Sequence, residues 1–359
     1  MMDRVFNFSP GPSMLAQPVL EKAQRDLMCY GNTGMSVMEM SHRSKMYTDI
    51  FDQTVANLRK VMQIPDDYEV LFLQGGATEQ FSGIPLNLMK TGVADYVDSG
   101  NFAHLAAEEA KRYGTVHIAA SSREDNYTYV PDMAAATFTP GADYVHICQN
   151  NTIYGTRYIE LPKVDAPIVC DASSFILSEP MDVAKYGVIY AGAQKNIGPS
   201  GLCVLIVKKD LLGTPNKLCP KLMNWTVQAD KGSMYNTPNT WGIYLAGLTF
   251  EWLLSIGGVE AIQKINQEKA ALLYDFLDES KLFRGTAQKE YRSLMNVTFV
   301  TGDEAKDAAF VKAAAAQGLV NLKGHRTVGG MRTSIYNAMP VEGVQKLVAF
   351  MKQFEADNA

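Results

Sequence analysis

Lys195 stands in Tyr190-Ala191-Gly192-Ala193-Gln194-Lys195-Asn196-Ile197-Gly198-Pro199-Ser200-Gly201, between the apolar runs Tyr186 to Ala193 and Leu202 to Val207. The first run reads as a buried strand that delivers one lysine into a tight Gly/Pro turn. Placing an amine there costs desolvation energy. Burial favours the neutral amine, the form that attacks a carbonyl to make a Schiff base. Another apolar run, Ala166 to Cys170, ends in Asp171. A strand-end lysine for an aldehyde and a strand-end aspartate for a pyridinium nitrogen are the two protein groups that pyridoxal phosphate (PLP) needs. Strand-end lysines and aspartates are also common turn residues, so the pair alone leaves both readings open.

Anion-binding devices come next. The chain has no Gly-x-x-x-x-Gly-Lys and no Gly-x-Gly, which excludes a P-loop and the dinucleotide fingerprint. It does have Gln74-Gly75-Gly76-Ala77-Thr78-Glu79-Gln80 after an apolar run and before a helical pattern. Backbone N–H groups, the helix dipole and the Thr78 hydroxyl suit a phosphate there; a plain strand–helix turn is the alternative. Two histidines directly precede arginines, His42-Arg43 and His325-Arg326, each beside Ser or Gly. Such pairs suit a dianionic phosphate or a carboxylate held between domains, and they also serve as solvated surface charge. Arg332 interrupts an apolar run, Met331 to Tyr336. Its partner is either a substrate carboxylate or an internal Asp or Glu. His104, His117 and His146 lack metal-ligand spacing, and no Cys/His cluster points to zinc.

The elements that must position these groups alternate. Helical patterns cover 18–30 and 44–63. Strands are expected at 68–73, 94–98, 116–119, 143–148, 168–170, 188–191 and 202–207, with helices at 78–90 and 102–113. This order implies an α/β domain with a mostly parallel sheet, whose ligands bind at the carboxyl ends of the strands. Beyond about residue 255 the order changes to helix 259–277, strand 295–300, helix 303–317, strand 331–336 and helix 341–355, a smaller α+β unit.

Composition bounds the function class. A formal charge of −5 without a basic block argues against a nucleic-acid partner. No apolar stretch reaches the ~18 residues of a membrane span. The N-terminus lacks the apolar core of a signal peptide, and five cysteines without a CxxC pair fit a reducing cytoplasm. Cys148, Cys170 and Cys203 lie in apolar runs and read as buried thiols.

Several long strings resemble the phosphoserine aminotransferases, a family of the class V aminotransferases. They are Asn7-Phe8-Ser9-Pro10-Gly11-Pro12, Ser36 to Arg43, Tyr186 to Gly201, Gly232 to Pro238, Lys323 to Arg326 and Gly329 to Pro340. The motifs run in the family's order nearly end to end. The resemblance implies an aspartate-aminotransferase-like PLP fold. Its large PLP-binding domain, residues 16–255, would carry a mostly parallel seven-stranded sheet. Residues 1–15 and 256–359 would form the small α+β domain. It also implies a homodimer with shared active sites, while the composition and spacing above stand for the cytoplasm, no metal, and neither nucleic-acid nor membrane partners.

Roles follow from the same resemblance. Lys195 would form the Schiff base and later move the proton at the amino acid's α-carbon. Asp171 would pair with the pyridinium nitrogen, Phe102 would stack on the ring and Thr152 would bond its hydroxyl. Ala77, Thr78, Ser173 and Gln194 would hold the cofactor phosphate, with Asn236 and Thr237 reaching it from the neighbouring subunit. His42, Arg43, His325 and Arg326 would hold the substrate's distal anion, the 325–326 pair coming from the other chain. Arg332 would hold the α-carboxylate. Many members carry tryptophan at the position of Phe102, and some carry Gly-Gly-Gly-Arg where this chain has Gly75-Gly76-Ala77-Thr78.

The implied reaction is a ping-pong transamination between O-phospho-L-serine with 2-oxoglutarate and 3-phosphooxypyruvate with L-glutamate, a step of serine biosynthesis. The family also acts on 4-phosphohydroxy-L-threonine, in vitamin B6 synthesis. The alternative is another class V PLP enzyme, of the serine–glyoxylate aminotransferase or cysteine desulfurase type. A desulfurase needs a reactive thiol, for which Cys29 and Cys219 lack an electropositive setting. A non-catalytic binding module would be expected to have lost Lys195.

Overall fold

The computed structural model describes residues 4–358. A seven-stranded sheet forms the centre, in the spatial order Tyr68–Gln74, Leu202–Lys208, Val188–Gly192, Ile168–Asp171, Val145–Cys148, Val93–Asp98 and Thr115–Ser121. Leu202–Lys208 runs antiparallel to both neighbours, and the remaining pairs are parallel. The four strands from Val145 to Lys208 are buried along almost their whole length. Such continuous burial is what a sheet covered on both faces requires.

The single reversal decides where Lys195 lies. Parallel neighbours need a crossover, whereas antiparallel ones join through a direct turn. Val188–Gly192 therefore passes straight through the Lys195 turn into Leu202–Lys208. The parallel strands all end on that same edge, at Gln74, Asp98, Cys148, Asp171 and Gly192. Gly75–Thr78, Phe102, Thr152 and Asp171 follow or occupy those ends, so sequence-distant residues gather along one rim.

A separate apolar cluster is built from the N-terminal segment and the last third of the chain. It includes Phe8, Phe283, Phe299, Phe310, Phe350 and Phe354. Helices Gly258–Glu279, Glu304–Ala316 and Val341–Asn358 contribute to it, together with the antiparallel sheet Arg284–Gly285, Asn296–Val300 and Met331–Ser334. Phe6–Asn7 pairs in parallel with Leu319–Val320, which ties the start of the chain to this later unit.

Three elements differ from the sequence reading. The helix expected over 18–30 is Gln17–Asp26. The pattern expected over 78–90 opens as a short 3-10 turn, Ala77–Glu79, before the helix Gln80–Leu88. Gly75 and Gly76 precede it at φ 89° and 84°, a left-handed entry that glycine adopts without strain. The helix Thr240–Ser255 was missed altogether. It is apolar on nearly all sides and mostly buried, so it carries no amphipathic period to read. No single helix among the described residues is long and apolar enough to cross a membrane.

Candidate active site

The rim of the sheet assembles around the Lys195 amine. Lys195 Nζ donates to Thr152 Oγ1 at 2.7 Å and lies 5.5 Å from the centre of the Phe102 ring. Burial lowers the lysine pKa; the charge of Asp171 opposes this, and that of Arg332 adds to it. Desolvation is the largest of these effects, as a nucleophilic amine requires.

Asp171 is 6% exposed at the end of its strand, and its Oδ1 accepts from the Ser173 amide at 2.9 Å. Ser173 Oγ accepts in turn from the Gly192 amide at 3.1 Å, which links two neighbouring strand ends. Gln194 folds over Gly192, with its Oε1 buried and unpartnered.

Arg332 is buried on the strand Met331–Ser334. Its Nη1 makes one long hydrogen bond, 3.5 Å, to the Thr152 carbonyl, and its Nε has no partner. Burial pulls its pKa down. The internal ion pair left open by the sequence is absent among the described residues. A buried guanidinium without an acid is set up to receive an anion.

His325 is partly buried, and the nearby Arg332 and Arg326 charges add to burial in lowering its pKa. Val328, on the same loop, packs beside Phe102 against Tyr127, Ile153 and Tyr154. Arg326 is exposed. His42 and Arg43 form a second anion-binding candidate in the turn before helix Lys45–Met62; His42 Nε2 is buried without a partner and Arg43 is exposed. No direct bond joins that pair to Lys195, Thr152 or Arg332 among the described residues. Asn236 and Thr237 are exposed, and the Thr237 carbonyl accepts from Gln74 Nε2 at 2.9 Å, next to the Gly75–Gly76 turn. Ala77 is partly buried and Thr78 exposed where that turn meets its helix.

These groups fit pyridoxal phosphate. An amine of lowered pKa would take its aldehyde. A buried carboxylate at a strand end and an aromatic face would take its ring. A glycine turn opening a helix would take its phosphate.

The sequence reading did not foresee what backs the lysine. Ser13 Oγ donates to the Lys195 carbonyl at 2.6 Å, and the Ser13 amide to the Gln194 carbonyl at 3.0 Å. Gly11 lies so close that a Cβ there would sit 3.3 Å from Gln194 Cγ and 3.5 Å from Lys195 Cγ. The run Ser9-Pro10-Gly11-Pro12 was the available signal, but Pro/Gly content marks a turn without naming its partner.

Comparison with known proteins agrees over the full chain. The family profile described as Aminotransferase class-V matches residues 5–347. The phosphoserine aminotransferase of Bacillus cereus is 52% identical over 359 residues, 99% of this chain and 100% of its own length. The solved phosphoserine aminotransferase of Bacillus circulans subsp. alkalophilus superposes with a TM-score of 0.97 at 42% identity, covering 99% of each chain. The PLP-bound phosphoserine aminotransferase of Trichomonas vaginalis gives 0.94 at 37% identity, covering 97% of this chain and 100% of that one. With matches of that depth over its whole length, the chain belongs to the phosphoserine aminotransferases, within the class V aminotransferases.

Proposed function

We propose that this protein is a PLP-dependent transaminase that interconverts O-phospho-L-serine plus 2-oxoglutarate and 3-phosphooxypyruvate plus L-glutamate. The observation that carries the reading is Arg332, a buried guanidinium with a free Nε and no acid partner, close enough to lower the Lys195 pKa. Each of the four substrates carries an α-carboxylate that such a group can hold.

When bound, PLP supplies an electrophilic aldehyde carbon and an electron sink for the bonds at an amino acid's α-carbon. Lys195 would hold the cofactor through Nζ and would move the proton at the substrate's α-carbon. Asp171 holds the pyridinium nitrogen and Phe102 covers the ring face. Thr152 orients the ring hydroxyl. Ala77, Thr78, Ser173 and Gln194 hold the cofactor phosphate. His42, Arg43, His325 and Arg326 hold the distal phosphate or carboxylate of the substrate, because guanidinium and imidazole donors accept either anion.

The reading extends to assembly. The protein acts as a cytoplasmic homodimer in which Asn236, Thr237 and the 325–326 pair serve the partner's site. Residues 16–255 form the large PLP-binding domain, and residues 1–15 with 256–359 the small one. 4-Phosphohydroxy-L-threonine, which shares the phosphate ester and the α-carboxylate, is a second substrate. A desulfurase reading is disfavoured by the thiols: burial raises the pKa of Cys148, Cys170, Cys203 and Cys219 and so opposes the thiolate.

A half-reaction tests the assignment. Holoenzyme is mixed with O-phospho-L-serine and no keto acid, and the cofactor absorbance is followed, with L-serine and L-cysteine in parallel. The expected result is conversion by phosphoserine alone. A response to cysteine or serine without one to phosphoserine would keep the cofactor site and overturn the substrate.

A further inference from the structure

Tyr336 follows the strand that carries Arg332 and is 2% exposed. Its hydroxyl donates to the Pro10 carbonyl at 2.8 Å and accepts from Asn296 Nδ2 at 3.2 Å. Arg332, on that strand, reaches the Thr152 carbonyl from Nη1 at 3.5 Å. Pro10 opens the Gly11–Ser13 segment that backs onto Gln194 and Lys195. Thr152 is the residue that accepts from the lysine amine. The phenol therefore bonds the loop that backs the Lys195 carbonyl, and it sits just past the strand whose Arg332 reaches the residue that holds Nζ.

The phenol is itself held firmly. Lys269, fully buried on helix Gly258–Glu279, donates from Nζ to the carbonyls of Ile335 at 2.9 Å, Tyr336 at 2.8 Å and Met339 at 3.1 Å. The next residue, Asn337, donates its amide to Asn196 Oδ1 at 3.0 Å, directly after the lysine. Asn296 Nδ2 also bonds Ser334 Oγ at 3.0 Å, and its Oδ1 accepts from Asn150 Nδ2 at 2.8 Å. The network is buried and satisfied at each of these bonds, which is the condition for a polar cluster to fix one geometry.

We propose that Tyr336 is a positioning residue for Lys195: its hydroxyl ties the N-terminal loop behind the lysine to the end of the strand that carries Arg332 and so fixes where the lysine amine rests. This rests on the reading of Lys195 as the cofactor lysine. Arg332 and the α-carboxylate it would hold are carried on the strand just before Tyr336. The same residue thus registers the lysine against the substrate carboxylate, and a shift of a fraction of an ångström between those groups is costly in rate.

The test is Tyr336→Phe, which removes one oxygen and keeps the ring. With the cofactor loaded and no amino acid present, the pH midpoint of the lysine-bound cofactor's absorbance is expected to move measurably from the wild-type value. In turnover, kcat is expected to fall about 10- to 100-fold while KM for phosphoserine changes much less. The absorbance midpoint needs no substrate, so it reports on Tyr336 even if the substrate assignment fails. Ser13→Ala cuts the tie to the Lys195 carbonyl and a long 3.4 Å bond to the Met14 carbonyl; it is expected to move the midpoint the same way, and the double variant to add little. Wild-type midpoint and kcat in Tyr336→Phe overturn the proposal. If Tyr336→Phe does not fold, an unshifted midpoint in Ser13→Ala overturns it.

Discussion

At the residue scale, the state of Lys195 is set by opposing effects whose signs are known. Burial lowers its pKa from the ordinary lysine value of 10.5, Asp171 raises it, and Arg332 lowers it further. The neutral amine is the reacting form, so cofactor uptake by apo-protein should rise with pH and reach half its maximum below 10.5. Asp171→Asn removes a charge that raises the pKa, so its midpoint should move lower; Arg332→Met removes one that lowers it, so its midpoint should move higher. Stopped-flow absorbance of PLP binding across pH measures both. An upward shift in Asp171→Asn would sink this account of the site.

The same scale shows what a sequence can and cannot carry. Lys195 and Asp171 were legible because each ends an apolar run, and Arg332 because it interrupts one. Tyr336 and Ser13 were not, because their roles lie in contacts to Pro10 and to the Lys195 carbonyl, and neither hydrophobic period nor charge encodes such a pairing. The question left open at Arg332 needed three-dimensional proximity, since only the fold shows that none of the described acids pairs with it.

At the element scale, the alternation of strands and helices was readable because the strands are short apolar runs divided by amphipathic helices. The apolar helix Thr240–Ser255 escaped for the converse reason. It packs against Lys45–Met62 so closely that a Cβ on Gly247 would run into Thr54 Oγ1. Gly247→Ala gains helix propensity worth about 1 kcal/mol but overpacks this crossing at a cost of about 1–3 kcal/mol. Denaturant unfolding should therefore show a net loss. Thr54→Ala in the same chain removes the Oγ1 in the way and should recover part of it, a non-additive pair. The Thr54 hydroxyl bonds the Ile50 carbonyl within its own helix, so losing it matters little, and the buried methyl lost with it costs about 1 kcal/mol, which keeps the recovery partial. A Gly247→Ala protein more stable than wild type would mean that the helices separate without penalty.

At the scale of the whole molecule, the resemblance assigns the 325–326 pair to the partner's site, whereas within one chain His325 already feels the Arg332 charge and Val328 packs beside Phe102. The loop lies on the rim of its own site, and a two-fold partner can bring the same surface to the other site. Mixing two inactive variants separates these arrangements. Lys195→Ala and Arg326→Ala are each expected to be nearly dead. After mild dissociation and random reassociation, half the dimers are mixed. If Arg326 acts across the interface, one site of each mixed dimer inherits both defects, the other has an intact lysine and an intact arginine, and about a quarter of all sites recover. If Arg326 serves its own chain, every site in the mixture keeps one defect and activity stays at the level of the single variants. Recovery that grows with reassociation time is the expected outcome, and its absence would return the pair to the chain that carries it.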